Sequence, residues 1–149
     1  MVINKNFIKA TSIAFVVFVI DQAIKYWAVY TNVNIEATPI SLVLAYNKGV
    51  AFSMFAGLEG WLKYLQILLM LLIATYLYKN PNLFNAHYLP IGILFGAAFG
   101  NIIDRFIHIG VVDYIFWHYL FEFAIFNFAD IMINFAVLLI LYQSFFKKA

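Results

Sequence analysis

Cysteine is absent from the 149 residues, and charge is scarce: Asp, Glu, Lys and Arg make up 11% of the chain, against about 25% in an ordinary soluble domain. The first absence excludes disulfides, thiol nucleophiles, thiolate metal sites and S-acylation. The second argues against a nucleic-acid partner, because the formal charge of +2 comes from basic residues scattered singly near the ends of apolar runs. The zinc-peptidase pattern HExxH and the presenilin-type pattern GxGD are also missing. His87, His108 and His118 offer no ligand set beyond the weak pair Asp104 and His108, so neither a metal nor another cofactor is expected. What fills the chain instead is apolar, with 66% hydrophobic and 20% aromatic residues. A chain this small has too little interior to hide so much apolar surface from water, which predicts an integral membrane protein.

The expected fold class is an all-α membrane protein, a single integral membrane domain over 1–149. Four transmembrane helices are predicted at about 10–30, 61–78, 88–107 and 128–146, each close to the roughly 20 residues a span requires. Residues 31–60 are predicted to form a small extramembrane β/loop element between helices 1 and 2. In it Ile40, Leu42, Leu44 and Tyr46 alternate with Ser41, Val43 and Ala45, and Asn47, Lys48 and Gly49 supply turn chemistry. Phe52, Met54 and Phe55 suit a flap lying on the bilayer. The stretch from Asn80 to His87 reads as a short polar loop. Gly92, Gly96 and Gly100 repeat every four residues, a pattern that allows close helix approach in membranes. With four spans both termini share a side, and Lys5, Lys9, Lys79, Lys147 and Lys148 mark that side as cytoplasmic.

Ionisable groups in or beside a bilayer are costly, so each needs a partner, a wet cavity or a role. Asp21 and Lys25, spaced i,i+4, form a natural ion pair. Asp104 beside Arg105 reads as structural, and Asn101, Asp104, Arg105 and His108 continue the glycine stripe of the third span. Asp113 and Asp130 have no cation within four residues, and both sit among apolar neighbours. Such a setting raises a carboxyl pKa, and two such groups brought together can share one proton, which is aspartyl protease chemistry. Asn127, Asp130 and Asn134 share one helix face. Glu122 is a rival acid in an aromatic loop with Phe116, Trp117, Tyr119 and Phe121, which read as interfacial residues. Two other functions compete: a small transporter or proton-conducting subunit, and a Ser/Lys hydrolase built on Ser53 with Lys48 or Lys63. A proton relay wants acids through the whole membrane depth, whereas these cluster at one end of the spans, and no nucleophile motif surrounds Ser53.

The motifs DQAIK at 21–25, NKGVAF at 47–52, GNIIDR at 100–105, GVVDY at 110–114 and FNFAD at 126–130 together resemble lipoprotein signal peptidase, the bacterial type II signal peptidase. The resemblance implies a four-span aspartyl endopeptidase of the bacterial inner membrane, active toward the outer face and needing no cofactor. It would remove the signal peptide from diacylglyceryl-modified prolipoproteins, before the lipidated cysteine. It makes Asp113 and Asp130 the catalytic pair, gives binding or positioning roles to Asn47, Asn101, Arg105 and Asn127, and makes Asp21 and Lys25 structural support. Gly49 is expected to hinge the outer element with Asn47. The expected partners are the lipid-modified prolipoprotein, membrane lipid and peptide-like inhibitors held between Asn47, Arg105 and the two aspartates; the enzyme is expected to act as a monomer. The sequence departs from the family at Tyr114, usually Phe, at Ala124, commonly Pro, and at Ile131, often small and polar.

Overall fold

The apolar runs form helices long and apolar enough to cross a membrane, and they are four among the described residues. The structure, a computed structural model, describes residues 4–49, 57 and 59–146. The helices are α1 (Lys5–Thr31), α2 (Glu59–Lys79), α3 (Pro81–Ile107) and α4 (Phe128–Phe146). Strands β1 (Asn34–Ile35), β2 (Ile40–Asn47) and β3 (Val111–Trp117) make one antiparallel sheet in the order β1-β2-β3. The chain is thus a multi-pass membrane protein, predominantly helical, with a small sheet at one end of the helices.

The central helix is α3, which buries 56% of its most apolar window where each of the others buries 11%. Large side chains such as Phe15, Leu68 and Leu138 stay exposed on the others, a pattern that suits lipid as solvent. Close approach is what α3 exploits against α1. A Cβ at Gly92 would lie 2.6 Å from the Ala10 carbonyl oxygen, and one at Gly96 would strike the Ala14 backbone. On α1 the buried residues Ala10, Val17, Asp21 and Lys25 recur at helical spacing and face this seam, while Ala28 packs beside Val33 and Tyr114 under the sheet. The helix then ends where Asn32 takes the left-handed conformation (φ 46°, ψ 53°), which a short polar side chain tolerates, and its amide returns to the Ala28 and Val29 carbonyls.

Two sequence expectations are corrected here. The segment read as a loop up to His87 is the beginning of α3: Asn80 alone separates α2 from Pro81, which occupies the helix start where its missing N–H costs nothing. The irregularity sits instead at His87 (φ −122°, ψ 21°), in the turn before Pro90, whose ring cannot continue the hydrogen-bond ladder. The sheet also has a strand that is not between the first two spans. After α3, β3 pairs with β2, setting Ile40 opposite Trp117, Ala45 opposite Asp113 and Asn47 opposite Val111, with a register shift between Leu42 and Ala45. Gly110 makes the turn into β3 possible, since a Cβ there would stand 2.6 Å from the Asn47 carbonyl oxygen. The proposed flap residues Phe52, Met54 and Phe55, with Ser53, lie outside the described residues.

The α1–α3 seam can be tested by overpacking. Gly96→Leu should lower stability in detergent by about 3 kcal/mol, the upper end for overpacking, because backbone and not a side-chain tip stands in the way. Gly57→Ala, which meets nothing within 4 Å, should leave the thermal midpoint unchanged.

Candidate active site

The start of α4 fixes the site. A helix N-terminus leaves backbone amides without intrahelical partners, and buried ones must be satisfied from elsewhere. Here each has a different side chain. The Asn127 amide donates to Asp130 Oδ2 (3.3 Å) and the Asp130 amide to Asn127 Oδ1 (2.9 Å), a reciprocal capping box with an aspartate in the N3 position. Between them, the Phe128 amide donates to the Tyr114 hydroxyl (3.1 Å) and the Ala129 amide to Asp21 Oδ1 (3.1 Å). Strand β3 and helix α1 are thereby tied to α4 where Asp130 leaves the backbone.

The side-chain amide of Asn127, fully buried, carries the network onward. Its Nδ2 donates to Asp113 Oδ1 at 2.7 Å and to Asn101 Oδ1 at 3.2 Å. Asn101 Nδ2 in turn donates to Asp130 Oδ1 at 3.0 Å. The two aspartates, one from a strand and one from a helix, are therefore linked through two asparagines. An amide can be turned either way, and here Lys25 decides: its ammonium lies 2.8 Å from Asn101 Oδ1, so the oxygen faces the cation and the NH2 faces Asp130.

Lys25 is 2% exposed and spends its other donors on Asp21 Oδ2 and Asp104 Oδ2, both at 2.8 Å. The i,i+4 pair expected from sequence is present. Asp104, however, pairs with Lys25 across the helix seam and not with its neighbour Arg105. It also accepts the Val112 amide (3.1 Å) and Gln22 Nε2 (3.0 Å), so one carboxylate joins α1, α3 and β3. Arg105 reaches the end of β2 instead, donating to the Asn47 carbonyl at 3.5 Å and to the Gly49 carbonyl, with its Nε unpaired among the described residues. The Asn47 side chain accepts the Gly49 amide (3.0 Å) and favours the charged form of the Asp113 carboxyl.

These groups border a cleft of about 610 Å³ in which Asn47, Gly49, Asn101, Arg105, Asp113 and Asp130 are brought together. Burial, and after it the negative charge of Asp130, pushes the Asp113 carboxyl up to about 7, although Asn47, Asn127 and Lys25 pull the other way. Asp21, Lys25 and Asp104 stand behind the cleft, not in it. Glu122 is exposed and Asn134 lines the cleft wall. His118 meets Ser41 Oγ at 2.8 Å, and His87 meets Gln143 at 2.8 Å on the far part of α3. No group of His, Cys, Asp and Glu able to hold a metal ion occurs among the described residues. Sequence reasoning missed Gln22 and the Tyr114 hydroxyl, because a partner that arrives from another element leaves no local pattern.

Removing Lys25 should be severe. Lys25→Met leaves two buried carboxylates without their cation, and breaking such a pair costs about 3–5 kcal/mol. Thermal unfolding in detergent should show that loss, while Lys5→Met, at an exposed position, should not.

Residues 13–146 match the family model of signal peptidase (SPase) II. The lipoprotein signal peptidase of Wolinella succinogenes is 58% identical over 132 residues, 89% of this chain and 90% of that protein. That of Helicobacter pylori is 49% identical over 146 residues, 97% of this chain and 92% of that protein. Among solved structures, a bacterial membrane enzyme determined by the in meso method at 2.3 Å resolution superposes with a TM-score of 0.77 at 27% identity, covering 93% of this chain and 88% of the other. By the family model, the identity and the shared architecture, this chain belongs to the signal peptidase II family, the lipoprotein signal peptidases.

Proposed function

We propose that the chain is an aspartyl endopeptidase that cuts diacylglyceryl-modified prolipoproteins just before the lipidated cysteine, with Asp113 and Asp130 as its catalytic pair. The observation that carries the reading is that two carboxylates from separate elements border one cleft and are linked through Asn127 and Asn101. A pair so placed holds a single proton near neutrality, and its titration belongs to the pair. The ionised member takes a proton from a water molecule as that water attacks the scissile carbonyl. The protonated member donates to the carbonyl oxygen, and the leaving amine is protonated as the tetrahedral species collapses. Arg105 and Asn47 lie on the same cleft and suit the peptide carbonyls of substrates and of peptide-like inhibitors. No covalent intermediate or cofactor enters this scheme.

The lipid-modified substrate reaches the cleft sideways from the leaflet that holds its acyl chains. Lysine placement favours cytoplasmic termini, with the sheet and the site at the outer face of the bacterial inner membrane. The enzyme works as a monomer, because one chain supplies both carboxylates and their supports. Gly49, held through its carbonyl by Arg105, positions the end of β2 at the cleft.

Asp113→Asn and Asp130→Asn should each lower kcat on a lipidated precursor peptide by about 10²–10⁴-fold, the scale of a general acid or base. The losses should be non-additive. Ser53→Ala and chelators should leave turnover intact. Near-native cleavage by either asparagine variant would sink the pairing.

The pH dependence has a definite sign. Catalysis needs the shared proton, so kcat/KM should fall as pH rises through about 7, the value to which Asp113 is pushed. Stability follows the same direction. A carboxyl raised from 3.8 to about 7 binds its proton more tightly in the folded state, so the fold loses stability as pH climbs between those values. Asp113→Asn should therefore unfold at a higher temperature than the parent at pH 8 and at the same temperature at pH 3, measured by thermal scans in detergent.

A further inference from the structure

The cleft continues past the carboxylates into the apolar region beside α4, where Ile131, Phe135 and Leu138 form its wall. Helix α2 brings Gln66 to this wall. Its Oε1 is buried and meets no donor among the described residues. From α4, Asn134 donates Nδ2 to the Asp130 carbonyl (2.9 Å) and also lines the cleft. Gln66 and Asn134 each lie about two turns or less from the sheet-side end of their helix, roughly 10 Å along it at 1.5 Å per residue. The two amides therefore stand at similar depth, below the aspartates and among hydrocarbon.

A buried acceptor without a donor is uncommon in folded proteins and calls for a partner. A peptide segment drawn into an apolar cleft in extended form has the matching deficit, since its backbone N–H groups leave water and meet a wall of Phe, Ile and Leu. We propose that Gln66 is a substrate-binding residue whose Oε1 accepts one backbone N–H of the signal peptide, upstream of the scissile bond. The contact rests on the peptidase reading above and adds to it a fixed register. Held at Gln66, the extended segment runs along α4 and delivers the scissile carbonyl to Asp113 and Asp130. At about 3.3 Å per residue of extended chain, a depth of roughly 10 Å along the helices places the bonded amide roughly two to four residues before that carbonyl. Because the bond is to backbone, it selects an extended conformation and tolerates varied signal-peptide side chains.

The experiment uses full-length enzyme in lipid or detergent, with lipidated precursor peptides each carrying one N-methylated backbone amide. Leucine at position 66 keeps the volume and suits the apolar wall. Gln66→Leu should raise KM about 5- to 10-fold, the scale of one neutral hydrogen bond, with kcat within about twofold. In the parent enzyme, one N-methyl group two to four residues upstream of the scissile bond should raise KM by a similar factor. That same methyl should add little in Gln66→Leu, a coupling that general destabilisation does not produce. If Gln66→Leu binds with parental KM, or if every N-methyl penalty is equal in the two enzymes, the contact is wrong and the peptidase reading stands. Should the parent enzyme cleave none of the unmethylated precursors, both are overturned together.

Discussion

The capping of α4 is the constraint on which the site depends. The first amides of that helix are buried under the sheet and beside α1, where water cannot serve them, so the fold must bring acceptors to them. Tyr114 from β3, Asp21 from α1, the capping residue Asn127 and Asp130 of α4 itself do so. Each acceptor also fixes the position of the element that carries it. Asp130 Oδ2 is occupied in the capping box, and Oδ1 takes the Asn101 amide, so the carboxylate has little freedom to rotate. Preorganisation of the proposed catalytic carboxylate here is a by-product of ordinary helix-end chemistry.

Behind that layer the fold concentrates charge it could have left out. Two buried carboxylates around one ammonium give weak evidence for stability, since apolar packing often does as well. Their use here is directional. Lys25 turns Asn101 so that its NH2 points at Asp130, and Asp104 receives the Val112 amide next to Asp113. The tight α1–α3 seam makes this possible: a side chain at position 100 would collide with the Asp21 carboxylate. Glycine packing therefore sets how near the acid of α1 can come to α3 and to the start of α4.

Much of the architecture was legible because membrane spans are dictated by length and hydrophobicity, and both survive as one-dimensional patterns. All four helices fall where the apolar runs lie, and the glycine repeat marks a real seam. The first turns of α3 were hidden, since Asn80, Asn82, Asn85 and His87 read as a loop while Pro81 initiates a helix. Strand β3 was hidden for the opposite reason. Val111, Val112, Ile115 and Phe116 are good strand residues, but both faces are buried at Val111–Tyr114 and no polar alternation remains to announce them. In the site, residue types and motif spacing pointed to the members that the cleft gathers. The partner of Asp104 did not show, because Lys25 is 79 positions away and Arg105 is adjacent; proximity in sequence favoured the wrong cation.

The departures from the family pattern divide along the same line between scaffold and cleft. Tyr114 is 3% exposed, and its hydroxyl accepts the Phe128 amide; burial pushes that phenol up to about 12, so it remains a neutral hydroxyl at working pH. Phenylalanine cannot accept that bond, so the α4 start in this chain has a cap that the usual residue lacks. Ala124 and Ile131 both line the cleft, on the approach loop and on the first turn of α4. Alanine in place of proline restores a backbone N–H and frees φ in the segment before α4. Isoleucine in place of a small polar residue makes the wall next to Asp130 bulkier and more apolar. One change therefore acts on how firmly Asp130 is held, and two act on what the cleft will accept beside it.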